Sequence, residues 1–167
     1  GMNSAALDVI TFGETMVCFA AHEVGPLERA ETFTKIVAGA ESNVAVGLAR
    51  LGGHVEFAAK VSTDFFGRFL RAHLEREGIG ARFLSSCDAP TTLAFVALEA
   101  GEPAFSFYQD GTADTLLQPA DIPADIAATE FLHFGSISLL DEPTASTIAV
   151  LVEGLRGGPL LSFDPNI

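Results

Sequence analysis

Val37-Ala38-Gly39-Ala40-Glu41-Ser42-Asn43-Val44-Ala45-Val46-Gly47-Leu48-Ala49-Arg50-Leu51-Gly52-Gly53 is the stretch that decides the fold. It reads as a loop opening directly into a helix. Val44, Leu48 and Leu51 recur at i, i+4 and i+7 and so share one helical face. Ala45 and Ala49 widen that face with small side chains that let the helix lie close to a sheet. Gly52-Gly53 supplies the permissive backbone of a helix end. Gly39 lets the backbone approach a ligand with no Cβ in the way. Ser42 or Asn43 can accept from the free amides of the first turn, or turn outward to a ligand. An ordinary capped helix is the plain alternative.

Working outward, Leu7 to Phe12 is a β-prone run ended by Gly13, read as a buried first strand. Thr32 to Val37 alternates as a strand with one wet face. His54 to Val61 is a strand, and Asp64 caps a helix carrying Phe65, Phe66, Phe69, Leu70 and Leu74, which stops near Gly78-Ile79-Gly80. Arg82 to Ser85 is a weak β segment. Thr91–Leu98 and Ala104–Tyr108 flank a five-residue turn and read as a hairpin. Pro119 to Ala128 suggests a short helix. Phe131 to Phe134 is a strand, Gly135-Ser136-Ile137-Ser138 a loop, Glu142 to Leu155 a helix and Pro159 to Phe163 a last strand.

Strands alternating with helices imply a parallel α/β sheet with right-handed crossovers. Residues about 15–37 and 91–109 break that rhythm as consecutive strands without helices, which implies a small second sheet. Ligands of open α/β sheets bind beyond the carboxyl ends of the strands. Those ends carry Gly13-Glu14, Gly135-Ser136 and Asp164-Pro165-Asn166.

Composition narrows the function classes. The 167 residues suffice for a real core, and 49% are hydrophobic. A formal net charge of -13 repels phosphate backbones and argues against nucleic-acid binding. No apolar run approaches the ~20 residues of a membrane helix. Gly1-Met2 resembles an expression scar with no signal segment after it, so a cytoplasmic location is expected. Cys18 and Cys87 are read as reduced, and neither they nor His22, His54, His73 and His133 show metal-ligand spacing. His133, inside an apolar run, is read as a hydrogen-bonded core residue.

The residues from Val37 to Gly53 resemble the first signature of the ribokinase-like (PfkB) carbohydrate kinases. Gly13-Glu14, Phe107-Tyr108-Gln109-Asp110-Gly111-Thr112-Ala113-Asp114, His133-Phe134-Gly135-Ser136-Ile137-Ser138 and Ser162-Phe163-Asp164-Pro165-Asn166-Ile167 occur in the family's order and spacing. The subfamilies most similar are fructokinases and 2-keto-3-deoxygluconate kinases. The resemblance implies a ribokinase-like α/β domain, here partial, with a β-sheet lid that closes over a sugar and mediates a homodimer. It implies phosphoryl transfer from ATP, with Mg2+, to a sugar hydroxyl. It places Gly39 and Asn43 on sugar hydroxyls, Tyr108 and Gln109 reaching from the lid, Ser136 and Ile137 along the sugar floor, and Asp164 and Asn166 near the transferred phosphate. Each has a plain alternative: Tyr108 as a strand aromatic, Asp164-Pro165-Asn166 as a turn.

Three departures bear on substrate and activity. Cys18 stands where fructokinases carry a sugar-binding aspartate, and a thiol is a poor acceptor. That residue and Glu41 lean towards the ketodeoxygluconate kinases. Gln109 replaces an arginine that could clamp a carboxylate bidentately, which leans away from them. The family's late Gly-Ala-Gly-Asp motif, whose aspartate is the catalytic base, does not occur here, nor does a Walker-type loop. The chain is therefore expected to hold the lid and sugar-binding half and to be inactive alone, with no catalytic or metal-binding residue of its own. A non-catalytic sugar-binding or dimerising module derived from such a kinase is the alternative, and an unrelated α/β binding domain the third.

Overall fold

The computed structural model describes residues 7–166. Strands β1 (Leu7–Phe12), β4 (Val55–Ser62), β5 (Leu84–Cys87), β8 (Thr129–Gly135) and β9 (Leu160–Asp164) form one sheet in the order β5-β4-β1-β8-β9. Every pairing in it is parallel. Strands β2 (Met16–Val24), β3 (Phe33–Ala38), β6 (Leu93–Glu99) and β7 (Glu102–Tyr108) form a second sheet in the order β3-β2-β6-β7. This is the α/β layer and lid that the strand rhythm predicts.

Helices α1 (Ala40–Arg50), α2 (Phe65–Arg76) and α3 (Thr144–Gly154) cover the parallel sheet. Period-2 alternation sorts β4 between two cores. Val55, Phe57 and Ala59 pack with Ala45 of α1 and Leu74 of α2. Ala58 joins Ile10, Phe12, Leu132 and Ile148 of α3 on the other face. Phe12 and Phe57 are fully buried, each worth about 1.5–3 kcal/mol of transfer free energy. Strand β9 is the exception, because all five of its residues are exposed and its outer edge pairs with nothing described.

Several local expectations are corrected. Gly39 is the N-cap of α1, and neither Ser42 nor Asn43 caps it: Ser42 Oγ instead donates back to the Gly39 carbonyl at 3.0 Å. The buried positions of α1 are Glu41, Ser42 and Ala45, whereas Leu51 lies past the helix end and is exposed. Pro119 to Ala128 forms two short 3-10 turns, Pro119–Asp121 and Ala124–Ala127, and no α-helix. Pro123 removes a backbone donor between them and disfavours helical backbone at Ile122. The hairpin turn is only Ala100-Gly101, because Glu99 pairs with Glu102. Both turn residues have positive φ, 51° and 86°, the geometry that matches strand twist in a two-residue connection. Asp64 caps α2 as expected, its Oδ1 accepting from the Gly67 amide at 2.7 Å.

Candidate functional site

The carboxyl ends of β1, β8 and β9 meet the start of α1. Gly39 (φ 130°) is where α1 begins, and a Cβ there would stand 2.5 Å from the Glu14 carbonyl oxygen. Gly135 (φ 151°) is packed so closely on the Asp164 carbonyl that no side chain fits. The next residue, Ser136, and the last described one, Asn166, both hold positive φ, 61° and 54°. Such backbone in non-glycine residues is sparsely populated and clusters where ligands bind. Ser136 Oγ donates to Glu14 Oε1 and accepts from Asn166 Nδ2, both at 3.5 Å. The Asn166 amide donates to Asp164 Oδ1 at 2.9 Å. A polar chain thus runs from β1 through β8 to β9.

Acids dominate this region. Glu14 and Glu41 are 3% and 1% exposed. Burial, then the neighbouring Glu41 and Asp114 charges, pushes Glu14 up to about 8, against the Ser136 hydrogen bond. Burial pushes Glu41 up to about 7, opposed by the backbone amides of Glu41 and Glu14 and aided by Asp164. Asp114 is raised by burial despite bonds from Thr92 and Thr112. The sequence signals for Glu14 and Asp114 were their motifs. Glu41 showed only as an acid in a first helical turn, and its contact with Gly13 is visible only in three dimensions.

Of the residues that the sequence nominates, Gly39, Ser136, Asp164 and Asn166 come together here. Asn43 is exposed in the first turn of α1, with its amide donating to the Gly39 carbonyl at 2.9 Å. Ile137 packs on Met16, Cys18 and Ala94 of the lid. Register then fixes which lid face looks at Ile137: Cys18 pairs with Ala94, and Ala94 with Phe107. Paired positions share a face, so Phe107 belongs to the Ile137 side. Tyr108 pairs with Leu93 on the opposite face, its ring meeting Phe95 edge-on at 5.8 Å. Tyr108 and Gln109 line a hollow at the end of the lid with Pro90, Leu93, Phe95 and Thr112, and Phe107 reaches its rim as well. His133 is half-buried and hydrogen-bonded to Ser162 Oγ at 2.9 Å.

Backbone amides, one amide side chain, hydroxyls and carboxylates beside an apolar lid face suit a small polyhydroxylated ligand. Among the described residues, no group of three or more His, Cys, Asp or Glu side chains could hold a metal ion. The donor set present therefore does not fit a complete protein-held Mg2+ site.

A parallel layer with a site at its carboxyl ends and a four-stranded lid defines the ribokinase-like fold. The model of the pfkB family of carbohydrate kinases matches residues 6–156, and the chain belongs to that family. It is 39% identical to fructokinase-2 of Solanum lycopersicum, over all of this chain and 52% of that protein. It is 38% identical to 2-dehydro-3-deoxygluconokinase of Bacillus subtilis, over 96% of this chain and 52% of that one. A sugar kinase of Pyrococcus horikoshii solved in complex with ATP superposes with a TM-score of 0.91, at 30% identity, over 95% of this chain and 53% of its own. The chain spans about half the length of these relatives.

Proposed function

We propose that this chain supplies the lid and sugar-binding half of an ATP-dependent sugar kinase of the fructokinase or 2-keto-3-deoxygluconate kinase type. The observation that carries this is the Glu14–Ser136–Asn166 chain, which joins three strand ends beside Gly39 and under the Ile137 face of the lid. In this reading Gly39 admits the sugar to the backbone, and the Asn43 amide bonds its hydroxyls. Ser136 and Ile137 form the floor. Asp164 and Asn166 orient the accepting hydroxyl, and Tyr108 and Gln109 contribute from the lid's end. ATP, when bound, supplies the phosphoryl group. These residues bind and orient, and no catalytic base is assigned to them.

Glu14 is faced by Glu41, Asp114 and Asp141, and Glu41 by Asp164, and among the described residues no ion pair joins any of these acids to a base. Such a field favours an uncharged sugar over a sugar acid. The open edge of β9 favours a kinase whose sheet is extended there over a self-sufficient binding module. A homodimer through the lid and a cytoplasmic location belong to the same reading.

Calorimetric binding and ATP-coupled phosphorylation, each with fructose and with 2-keto-3-deoxygluconate, test this. Fructose binding without turnover is expected of this chain. Binding of neither sugar overturns the sugar site. Turnover overturns the assignment of catalysis to residues outside it.

A further inference from the structure

One turn carries a reactive pair that the proposed sugar contacts do not use. Asp110 is the only aspartate in the sequence followed by glycine. The pair Asp110-Gly111 lies just past lid strand β7, where the chain returns to the α/β layer. Both residues are exposed. Among the described residues, the Asp110 carboxyl has no hydrogen bond or ion pair, and the Gly111 amide has no acceptor. Other aspartates are held: Asp64 accepts from Gly67 and Thr91, and Asp164 accepts from the Asn166 amide. Asp141 accepts no bond, but the residue after it is Glu142, whose side chain crowds the amide between them. Gly111 has no side chain to do so. A Cβ built on it would meet nothing within 4 Å, so the space beside its nitrogen is open.

We propose that Asp110 is a site of spontaneous isomerisation, in which the Gly111 nitrogen reroutes the main chain through a cyclic imide. The nitrogen attacks Asp110 Cγ. The amide proton and one carboxyl oxygen leave as water, with a second proton taken from solvent, and a five-membered imide closes. Water then adds back to one of the two imide carbonyls. Cleavage at Cγ restores aspartate. Cleavage at the main-chain carbonyl leaves isoaspartate, joined to Gly111 through Cγ and carrying a free α-carboxylate. No oxidant, reductant or metal is needed.

The position gives this change a consequence. Isoaspartate runs the backbone through Cβ and Cγ and so adds one methylene between Gln109 and Gly111. Thr112 closes that span: its Oγ1 lies 2.9 Å from the Gln109 carbonyl and 2.6 Å from Thr92 Oγ1, at the root of lid strand β6. The next amide, of Ala113, donates to the Pro90 carbonyl at 2.9 Å. Both roots of the lid are joined here, and the longer backbone loosens that joint. Neither step depends on which sugar, if any, the chain binds.

Ageing the folded chain for several weeks in mildly acidic buffer tests the proposal. Isoaspartate is counted by methyl transfer with an isoaspartyl methyltransferase and located by electron-transfer fragmentation. Isomer at residue 110 is expected to exceed that at any other aspartate by roughly tenfold or more, and its rate of formation to stay within roughly tenfold of that in a synthetic peptide of residues 105–115. Asp110→Glu, which keeps the charge but would need a six-membered ring, is expected to remove the signal. In the isomerised fraction, exchange of the Ala113 amide is expected to quicken by roughly tenfold, the loss of one good hydrogen bond. Isomer spread evenly over the aspartates, a folded-state rate below that range, or methyl acceptance unchanged in Asp110→Glu overturns the site. Isomer at residue 110 with unchanged exchange at Ala113 overturns its coupling to the lid.

Discussion

Gly13 and Glu41 compete for one methyl-sized space: a Cβ on Gly13 would stand 2.5 Å from Glu41 Oε2 and 2.6 Å from its Cδ. The end of β1 is therefore a glycine because a carboxylate from α1 fills the volume beside it. Gly13→Ala forces either the strand end or α1 to move. The expected cost is about 1–3 kcal/mol, the range for overpacking a filled site. The same substitution in a Glu41→Ala background is expected to cost less than half as much. Urea unfolding of the four proteins of this cycle checks it, and additive costs would show that the contact is not what requires glycine.

The buried acids set a pH dependence whose sign is fixed. The folded-state values of Glu14 and Glu41, about 8 and about 7, lie above the ordinary 4.5. Between these limits the folded protein holds protons that the unfolded chain has released. Stability is full below about pH 4.5 and is lost as pH rises through 7 and 8. His73 and His133, lowered by burial, act in the opposite direction below the ordinary histidine value of 6.5. The slope should therefore be read above pH 6.5. A loss on the order of a few kcal/mol is expected by mildly alkaline pH, and Glu14→Gln flattens the curve. Unfolding free energy that rises with pH over this window would contradict the burial of the pair.

Asp64 joins the α/β layer to the lid. Its Oδ1 accepts from the Gly67 amide and from Thr91 Oγ1, both at 2.7 Å, and its Oδ2 accepts from the Thr91 amide at 3.0 Å. Thr91 enters lid strand β6. Although burial pushes the Asp64 carboxyl up, these bonds outweigh it and hold the group below its usual range. Asp64→Ala is expected to cost about 2 kcal/mol, a lost cap plus unpaired donors. Asp64→Asn, which keeps Oδ1, should recover part of that. Amide exchange at Gly67 and Thr91 reads the loss locally, and unchanged protection at Thr91 would show that Asp64 does not hold the entry to the lid strand.

Asn43 is the exposed amide beside the Gly39 backbone. In the complete kinase proposed above, Asn43→Ala is expected to raise the sugar KM by roughly tenfold, as expected from losing one good hydrogen bond, with little change in the ATP KM. An unchanged sugar KM takes Asn43 out of the site.

Which features the sequence disclosed follows from how local their causes are. The Asp64 cap and the Gly52-Gly53 helix end each depend on a few neighbouring residues, so spacing alone exposes them. The α1 cap was misread because Ser42 prefers carbonyls one turn back to the free amides. The hairpin turn was misread because Ala100 adopts a positive φ that its residue type does not announce. The Glu14–Glu41 pair was invisible for a different reason: its elements are separated by the lid strands β2 and β3. Burial of one acid against another leaves no periodic mark.

Register explains the remaining difference and gives the sharpest test. One residue along a strand reverses the face, so a motif that contains both Phe107 and Tyr108 does not say which one looks into the cleft. The pairing chain Cys18–Ala94–Phe107 puts Phe107 on the side where Ile137 packs, and Val17–Leu93–Tyr108 puts Tyr108 on the other. Phe107 is half exposed there, its ring stacked on that of Phe105 at 5.7 Å, and in the proposed reading it covers the sugar. Phe107→Ala in the complete kinase is expected to raise the sugar KM by roughly tenfold, about 1.4 kcal/mol of lost contact. Tyr108→Ala should change it by less than Phe107→Ala does, its ring resting on Phe95. The reverse order of effects would mean that the sugar enters by the Tyr108–Gln109 hollow, and that the lid meets its ligand with the opposite face.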